Sequence, residues 1–399
     1  MFQKLVNRND DIRRLLERGY AIAFDSNFLI VRDIPYLDSD LKLQSGAIVT
    51  KLVFLDQEKV AQEDHQILFA GSSPHGLDGK PIPNLGGGPI QLTLSSACSD
   101  VVVQRSFSNK PRQAGRFQDF FEKIESYVNI ISGPAIELHK PHPLPYTFRA
   151  VKEIVADTIF KFHDTLTSRA EITDLSAKFK NDIVAVIGLG GTGSYLLDFL
   201  VKTPVREIRG FDDDSFYVHN AFRSPGKVDE AEFGKPKALV CVDRHNNFRT
   251  GLSITKKRID ASCSEDLKGV TFAFVCVDKG SSRSDIFDLL GSMSIPFIDV
   301  GMGLNRKKGP IDGMLRTTHY SVENCTKTRD KNLAPLTDQA DEIYRNNIQI
   351  GELNALNACL AVIRFKQLRG FYFEEIPFHH LTFKVGDYAI IGSSNLDED

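Results

Sequence analysis

The feature that most constrains this chain is a short apolar run, Ile183 to Ile187, that passes directly into Gly188-Leu189-Gly190-Gly191-Thr192-Gly193 and then into a helix-forming stretch ending near Lys202. A run that is apolar at every position suits a strand buried on both faces, as in a parallel sheet. The glycines permit a tight turn and let the backbone approach a phosphate. The N-terminus of the next helix adds free amides and a partial positive charge. A second strand is expected at Glu207 to Phe211, with Asp212 just beyond it, where an acid can hold ribose hydroxyls. Strand, glycine loop and helix in this order dictate a dinucleotide-type fold. By themselves they fit a nicotinamide dehydrogenase as well as any other nucleotide enzyme.

The surrounding pattern extends that fold. Strands are expected at Ser253 to Ile259, Val270 to Val277 and Phe297 to Val300, with helices at Lys237 to His245 and Ser282 to Leu290. Such alternation builds a doubly wound sheet. Asn346 to Arg369 reads as a long helix, with Leu353, Leu356, Leu360 and Ile363 as its buried stripe.

The first part of the chain has another character. Asn9 can cap a short helix carrying Ile12, Leu15 and Leu16, with Gly19 as its stop. Strand-like runs come next at Tyr20 to Phe24, Phe28 to Arg32, Ala47 to Leu55, Ile67 to Ala70, Ile90 to Leu94 and Val101 to Gln104. The glycine- and proline-rich stretch from Gly71 to Pro89 lacks the Lys-Ser/Thr of a phosphate-binding P-loop and reads as an exposed connector, with a partner-contacting loop as the alternative. Phe117, Phe120, Phe121, Ile124, Tyr127, Val128 and Ile131 recur at helical spacing, and Gly133-Pro134 should end that helix. The proline-rich segment from His139 to Pro145 is a stiff boundary. Two domains are therefore expected, an α+β unit over 1–145 and a doubly wound unit over 146–399.

Composition excludes several functions. A net charge of −3 over 399 residues gives no basic excess for tracking phosphates, which argues against a nucleic-acid partner. No apolar run is long enough to span a bilayer, and the N-terminus lacks the apolar centre of a signal peptide. The six cysteines form no CxxC pair, so no structural zinc and a cytoplasmic location are expected.

The stretch beyond the second strand is more specific. Asp212-Asp213-Asp214, then Asn220-Ala221-Phe222-Arg223, then Gly234-Lys235-Pro236-Lys237, then Val275-Cys276-Val277-Asp278 resemble the signature of the ThiF/MoeB/ubiquitin-activating (E1-like) adenylyltransferase family. In the long helix, Asn354-Ala355-Leu356-Asn357-Ala358 resembles a bacterial ThiF-type subgroup, with core packing and no catalytic part as its expected role. The resemblance covers about residues 165–370. It implies a doubly wound, Rossmann-like adenylation domain that uses ATP and Mg2+, with Gly188, Gly190, Gly191, Thr192 and Gly193 at the nucleotide. It further implies that Asp212 binds the ribose beside Asp214, that Asn220 orients the phosphate-side loop, that Arg223 and Lys237 hold the phosphates, and that Asp278 holds the metal. Adenylation crowds negative charge while pyrophosphate leaves, so cations and a metal are the residue types the chemistry needs. Arg169 matches a family position that reaches the partner subunit's ATP, which implies a homodimer.

Glu323-Asn324-Cys325-Thr326 resembles the family's Cys-Thr pair, and makes Cys325 the candidate nucleophile; Lys327 and Arg329 could favour its thiolate. The proline that is common shortly after this pair in the eukaryotic enzymes is missing here, so a free loop thiol and an oxyester route through Ser321 stay open. The leading expectation is an enzyme that adenylates the C-terminal carboxylate of a ubiquitin-like or sulfur-carrier protein, with a downstream conjugating enzyme as a further partner. The competing expectations are activation of a small-molecule, peptide or tRNA carboxylate, a non-catalytic nucleotide-binding scaffold that recruits partners through the N-terminal domain, and a dehydrogenase.

Overall fold

The structure is a computed structural model that describes residues 2–83, 85–92, 94, 98–111, 115–151, 158–162, 164, 166–167, 170, 172–306, 309–338 and 348–394. The chain forms two compact units, 1–158 with 162–173 and 159–161 with 174–399.

The first unit is built on an antiparallel seven-stranded sheet: β1 (Ala21–Asp25), β2 (Phe28–Leu37), β3 (Leu43–Phe54), β4 (Val60–Gln62), β5 (Ile67–Ala70), β6 (Gly88–Leu92) and β7 (Val103–Phe107), in the order β1-β2-β3-β5-β7-β6 with β4 on β3. Side chains alternate across it. Ile22, Phe24, Leu29, Val31 and Ile48 face helices α1 (Phe2–Arg8), α2 (Asp10–Arg18) and α3 (Phe120–Leu138). Ala23, Phe28, Ile30 and Val49 face a second cluster containing Leu92, Cys98 and Val103. Gly19 ends α2 at φ +100°, a left-handed turn in which its N–H and that of Tyr20 reach the carbonyls of Leu16 and Leu15.

Three expectations for this unit need correction. Asn9 stands at the N-cap position of α2, but its side chain does not cap the helix; it donates to the carbonyls of Leu5 and Glu58 and accepts from the Val60 N–H at 3.0 Å, which ties the helix start to β4. Helix α3 does not stop at Gly133-Pro134 but continues to Leu138 with Pro134 inside it. The proline removes one intrahelical N–H, yet Ile131, Ser132 and Ala135 are buried on that stretch, and their packing outweighs the local loss. The stretch from Gly71 to Pro89 is not wholly an exposed connector: Leu85 is buried in the helix-facing core, and Gly88 and Pro89 open β6.

The second unit holds an eight-stranded sheet ordered β10-β9-β8-β11-β12-β13-β14-β15. The strands are β8 (Ile183–Ile187), β9 (Glu207–Phe211), β10 (Leu252–Thr255), β11 (Phe272–Val275), β12 (Phe297–Asn305), β13 (Asp312–Tyr320), β14 (His380–Lys384) and β15 (Ala389–Ser393). The first five in this order run parallel and the rest are antiparallel. Helices α4 (Gly191–Val201), α5 (Lys237–His245), α6 (Gly280–Ser292) and α7 (Gly351–Leu368) complete the winding. Leu196, Leu197 and Leu200 of α4 and Ala358, Ala361 and Phe365 of α7 cover one face, against Val184 and Val186. Ile286, Phe287 and Leu290 of α6 cover the other, against Ala185 and Ile187. The molecule therefore carries a doubly wound, Rossmann-like domain preceded by a smaller α+β unit. Its direction of winding reverses between β8 and β11, and ligands of such sheets bind at the carboxyl ends of strands flanking that point. Among the described residues no helix is long and apolar enough to cross a membrane.

Several details differ from expectation here as well: β10 ends at Thr255 rather than Ile259, β11 is shorter than Val270 to Val277, and the long helix starts at Gly351, with Asn346 itself outside the described residues. Strand β12 continues past Val300 to Asn305, because β13 pairs with it along its whole length. The leucine stripe of the long helix is not its buried face: Leu353, Leu356 and Leu360 are half-buried and Ile363 is exposed, whereas Asn354, Asn357, Ala358, Ala361 and Phe365 are buried. Small residues at that face let α7 lie close to α4 and the sheet. Phe365 fills the gap, within ring contact of Phe179, Phe272 and Phe274. Phe365→Ala should therefore lower the stability of this unit by about 3–5 kcal/mol, read from the denaturant midpoint. A loss below about 1 kcal/mol would contradict this packing.

Candidate functional site

At the winding reversal, Gly188 leaves β8 with φ +93°. A β-carbon there would lie 2.9 Å from the backbone of Cys276, so the turn demands glycine both for its conformation and for its closeness to the end of β11. Gly188 donates its N–H to Phe211 at 2.8 Å, and Cys276 donates to Ile187 at 2.8 Å, which ties the loop to both neighbouring strands. Gly193 packs on the Gly188 carbonyl and Gly191 on the side chain of Asn354. Helix α4 starts at Gly191, so its first amides have no partner within the helix.

Around this loop lies a cavity of about 1200 Å3. Of the residues singled out from sequence, Gly188, Gly190, Gly191, Thr192, Asp212, Asp214, Arg223, Lys237 and Asp278 line it. Gly193 is buried behind the loop. Asn220 is also buried behind the lining; its Oδ1 accepts from the Tyr217 N–H at 2.8 Å and so fixes the short helix Val218–Ala221 that delivers Arg223. Arg169 lies outside the described residues.

Asp212 does more than wait for a ribose. Its Oδ2 accepts from Leu189 in the glycine loop at 2.6 Å, and its Oδ1 accepts from Asp214 at 3.0 Å. Lys237 lies 3.7 Å from Asp212 and donates to Asp214 at 2.7 Å. Burial pushes the Asp212 carboxyl up from its ordinary value, against the opposing pull of Lys237 and the two N–H donors. One oxygen from each of Asp212, Asp213 and Asp214 falls within a 4.8 Å group, but the latter two are exposed and Lys237 already bridges the first and third, so a lysine ammonium supplies the counter-charge there.

Arg223 is half-buried in the cavity, and its Nε is buried with no hydrogen-bond partner among the described residues. Burial pushes its pKa down, while the charges of Asp278 and Asp214 push it up. A buried guanidinium with a donor to spare is an anion-binding group in waiting. Asp278 is exposed at the cavity, one residue after Val277. Magnesium is usually held by one or two carboxylates together with substrate phosphates, so the exposed Asp278 carboxylate, in a cavity that Arg223 and Lys237 also line, fits an Mg2+–triphosphate ligand.

Several residues at or behind the cavity wall had no functional role assigned from sequence. Asp299 is fully buried between two arginines, with Arg283 Nε at 2.9 Å and Arg316 Nη2 at 2.7 Å. Arg283 also donates to the carbonyls of Pro335 at 3.0 Å and of Val277, which braces the turn that presents Asp278. Arg258 donates to Ser282 at 2.7 Å. Asn354 and Asn357 line the cavity from α7, a helix whose apolar periodicity implied packing alone. Their signal was present, an Asn-x-x-Asn-Ala spacing that places both amides on one helical face.

Cys325 does not line the cavity. It opens the short helix Cys325–Asp330, packs against the α6-side core, and is half-buried. Burial pushes its thiol up; Arg329 pulls it down, but that arginine is engaged with Asp288 and with Ser284 at 3.2 Å. The expected thiolate-favouring surroundings are therefore outweighed by burial in this arrangement. Alkylation of Cys325 by iodoacetamide at pH 7.5 should be slower than that of free cysteine and should accelerate with rising pH, monitored by peptide mass spectrometry. Faster alkylation than free cysteine would contradict the local chemistry described here.

The profile of the ThiF family matches residues 164–369, and that of a domain of unknown function, DUF6791, matches residues 10–165. No curated protein matches the chain. Among solved structures, PaaA is 15% identical, covers 58% of this chain and 69% of its own, and has a TM-score of 0.44. E. coli MccB with AMPCPP and MccA is 16% identical, covers 58% and 71%, and has a TM-score of 0.47. The same enzyme with ATP is 16% identical, covers 56% and 67%, and has a TM-score of 0.45.

Proposed function

The chain belongs to the ThiF family, whose chemistry is ATP-dependent carboxylate adenylation, and we propose that this member adenylates the C-terminal carboxylate of a ubiquitin-like or sulfur-carrier protein. The observation that carries the reading is Arg223: a half-buried guanidinium whose Nε has no partner among the described residues lines the same cavity as the glycine loop, Lys237 and Asp278. A dehydrogenase has no need of three such groups around its cofactor phosphates, whereas a triphosphate that must lose pyrophosphate does.

In the proposed reaction the loop amides of α4 receive the phosphates. The carrier's carboxylate oxygen attacks the α-phosphorus, the bond from that phosphorus to the bridging oxygen breaks, and pyrophosphate leaves. Arg223 and Lys237 hold the phosphate oxygens in line, and Asp212 takes the ribose while bracing Leu189. When bound, Mg2+ would be held by Asp278 and would neutralise charge on the departing pyrophosphate. Arg169 would reach the ATP of a second copy, making the site a homodimer's.

Capture on Cys325 is the second stage of the proposal. The thiolate attacks the acyl carbon, AMP leaves with its bridging oxygen, and the thioester then passes to a downstream conjugating enzyme. Because Cys325 is half-buried outside the cavity lining, this stage requires the short helix that it opens to move and bring the thiol to the acyl-adenylate. The N-terminal unit would recognise the carrier or that downstream enzyme.

ATP–pyrophosphate exchange tests the first stage. It should appear on addition of a small Gly-terminated carrier and fall at least about 100-fold in Asp278→Ala and in Arg223→Ala. Exchange driven by a small free carboxylate would instead assign a small-molecule substrate, and nicotinamide reduction without exchange would overturn adenylation altogether. For the second stage, a thiol-sensitive carrier adduct should form and vanish in Cys325→Ala; an adduct that persists in that variant refutes the nucleophile. Arg169→Ala mixed with Arg223→Ala should regain part of the exchange if the sites are shared between copies.

A further inference from the structure

Helix α7 buries two asparagines three residues apart, Asn354 at 1% exposure and Asn357 at 0%. Buried amides are costly unless their hydrogen bonds are made, and both are engaged at the cavity wall. Asn354 Oδ1 accepts from the Thr192 hydroxyl at 2.9 Å, and its Nδ2 donates to the Ile350 carbonyl at 3.1 Å. The same amide group lies over Gly191 so closely that a β-carbon there would come within 2.5 Å of its nitrogen. Among the described residues, the Thr192–Asn354 bond is the one side-chain hydrogen bond that ties residues 190–193 to another element. Asn357, on the same helical face, donates to the Gly301 carbonyl at 3.1 Å and accepts from Thr317 at 3.3 Å, which anchors α7 to β12 and β13.

We propose that Asn354 is a positioning residue for the glycine loop, holding Thr192 and Gly191 so that the first amides of α4 converge on the nucleotide phosphates. The inference rests on the adenylation reading, since it presumes a phosphate in that cradle. A loop with four glycines in six residues has many backbone states of similar energy. Phosphate binding by such a loop depends on preorganisation, because amides already aimed need no reordering when the ligand arrives. Gly188 and Leu189 are fixed from the strand side, by Phe211 and Asp212. The helix side is fixed by Asn354, whose own orientation is set by Ile350 and whose helix is pinned one turn later by Asn357. The action is indirect: Asn354 works through the loop backbone and through Thr192.

Binding of ATP and of adenosine to the full-length protein separates this role from general packing. Asn354→Ala should weaken ATP at least about tenfold and leave adenosine within about twofold, because the nucleoside does not use the loop amides. Thr192→Val, which keeps the shape and removes the donor, should show the same selective loss. The double variant should bind ATP no worse than the more affected single variant, since both act through one bond. Equal weakening of ATP and adenosine, unchanged ATP binding, or multiplying losses in the double variant would each overturn the assignment; should Asn354→Ala fail to fold, Thr192→Val carries the test. Wild-type protein that binds no ATP would overturn the adenylation reading itself, a distinct failure.

Discussion

The turn at Gly188 holds the site together. It sits where the sheet reverses its winding, against the backbone of Cys276, and a side chain there would separate β8 from β11. The constraint propagates in both directions. Toward the second strand, the loop's Leu189 N–H is held by Asp212, whose burial beside Lys237 fixes the carboxylate. Toward the long helix, Gly191 and Thr192 are held by Asn354. The proposed nucleotide cradle is thus a closed set of contacts among β8, β9, α5 and α7.

The opposite wall obeys a similar principle with charge in place of glycine. Asp299, wholly buried at a register position beside Val275, engages Arg283, and Arg283 secures the Val277 carbonyl just ahead of Asp278. A buried carboxylate between two guanidiniums is stable only because partners surround it, and removing one would leave an uncompensated charge. The arrangement uses buried charge to orient the turn that carries the exposed carboxylate. Cys325 stands apart from both walls, and its burial makes it a resting thiol in this conformation.

Much of this architecture is legible in the sequence because it is local. The run Ile183 to Ile187, the strand Glu207 to Phe211 and the helix Lys237 to His245 occur with the bounds their patterns imply, since apolar runs and glycine punctuation act over a few residues. The features without a local signal depend on distant pairings. Asp299 and Arg316 are brought together by the pairing of β12 with β13, Arg283 reaches them from α6, and nothing in their immediate neighbours marks them as a group. On α7 the stripe rule places leucines inward and asparagines outward; close approach to Gly191 and Gly301 favours the amides and small alanines instead. A local rule likewise ends a helix at Pro134, while the buried residues around it are held by the whole first unit.

The proposed function asks one event of this cavity, a carboxylate oxygen becoming bonded to the α-phosphorus of ATP. Labelling the carrier's terminal carboxylate with oxygen-18 tests this directly, because AMP released after acyl transfer must carry the attacking oxygen away. The proposed chemistry predicts AMP containing one labelled oxygen and unlabelled pyrophosphate. Unlabelled AMP, or label appearing in inorganic phosphate with ADP as the nucleotide product, would contradict it.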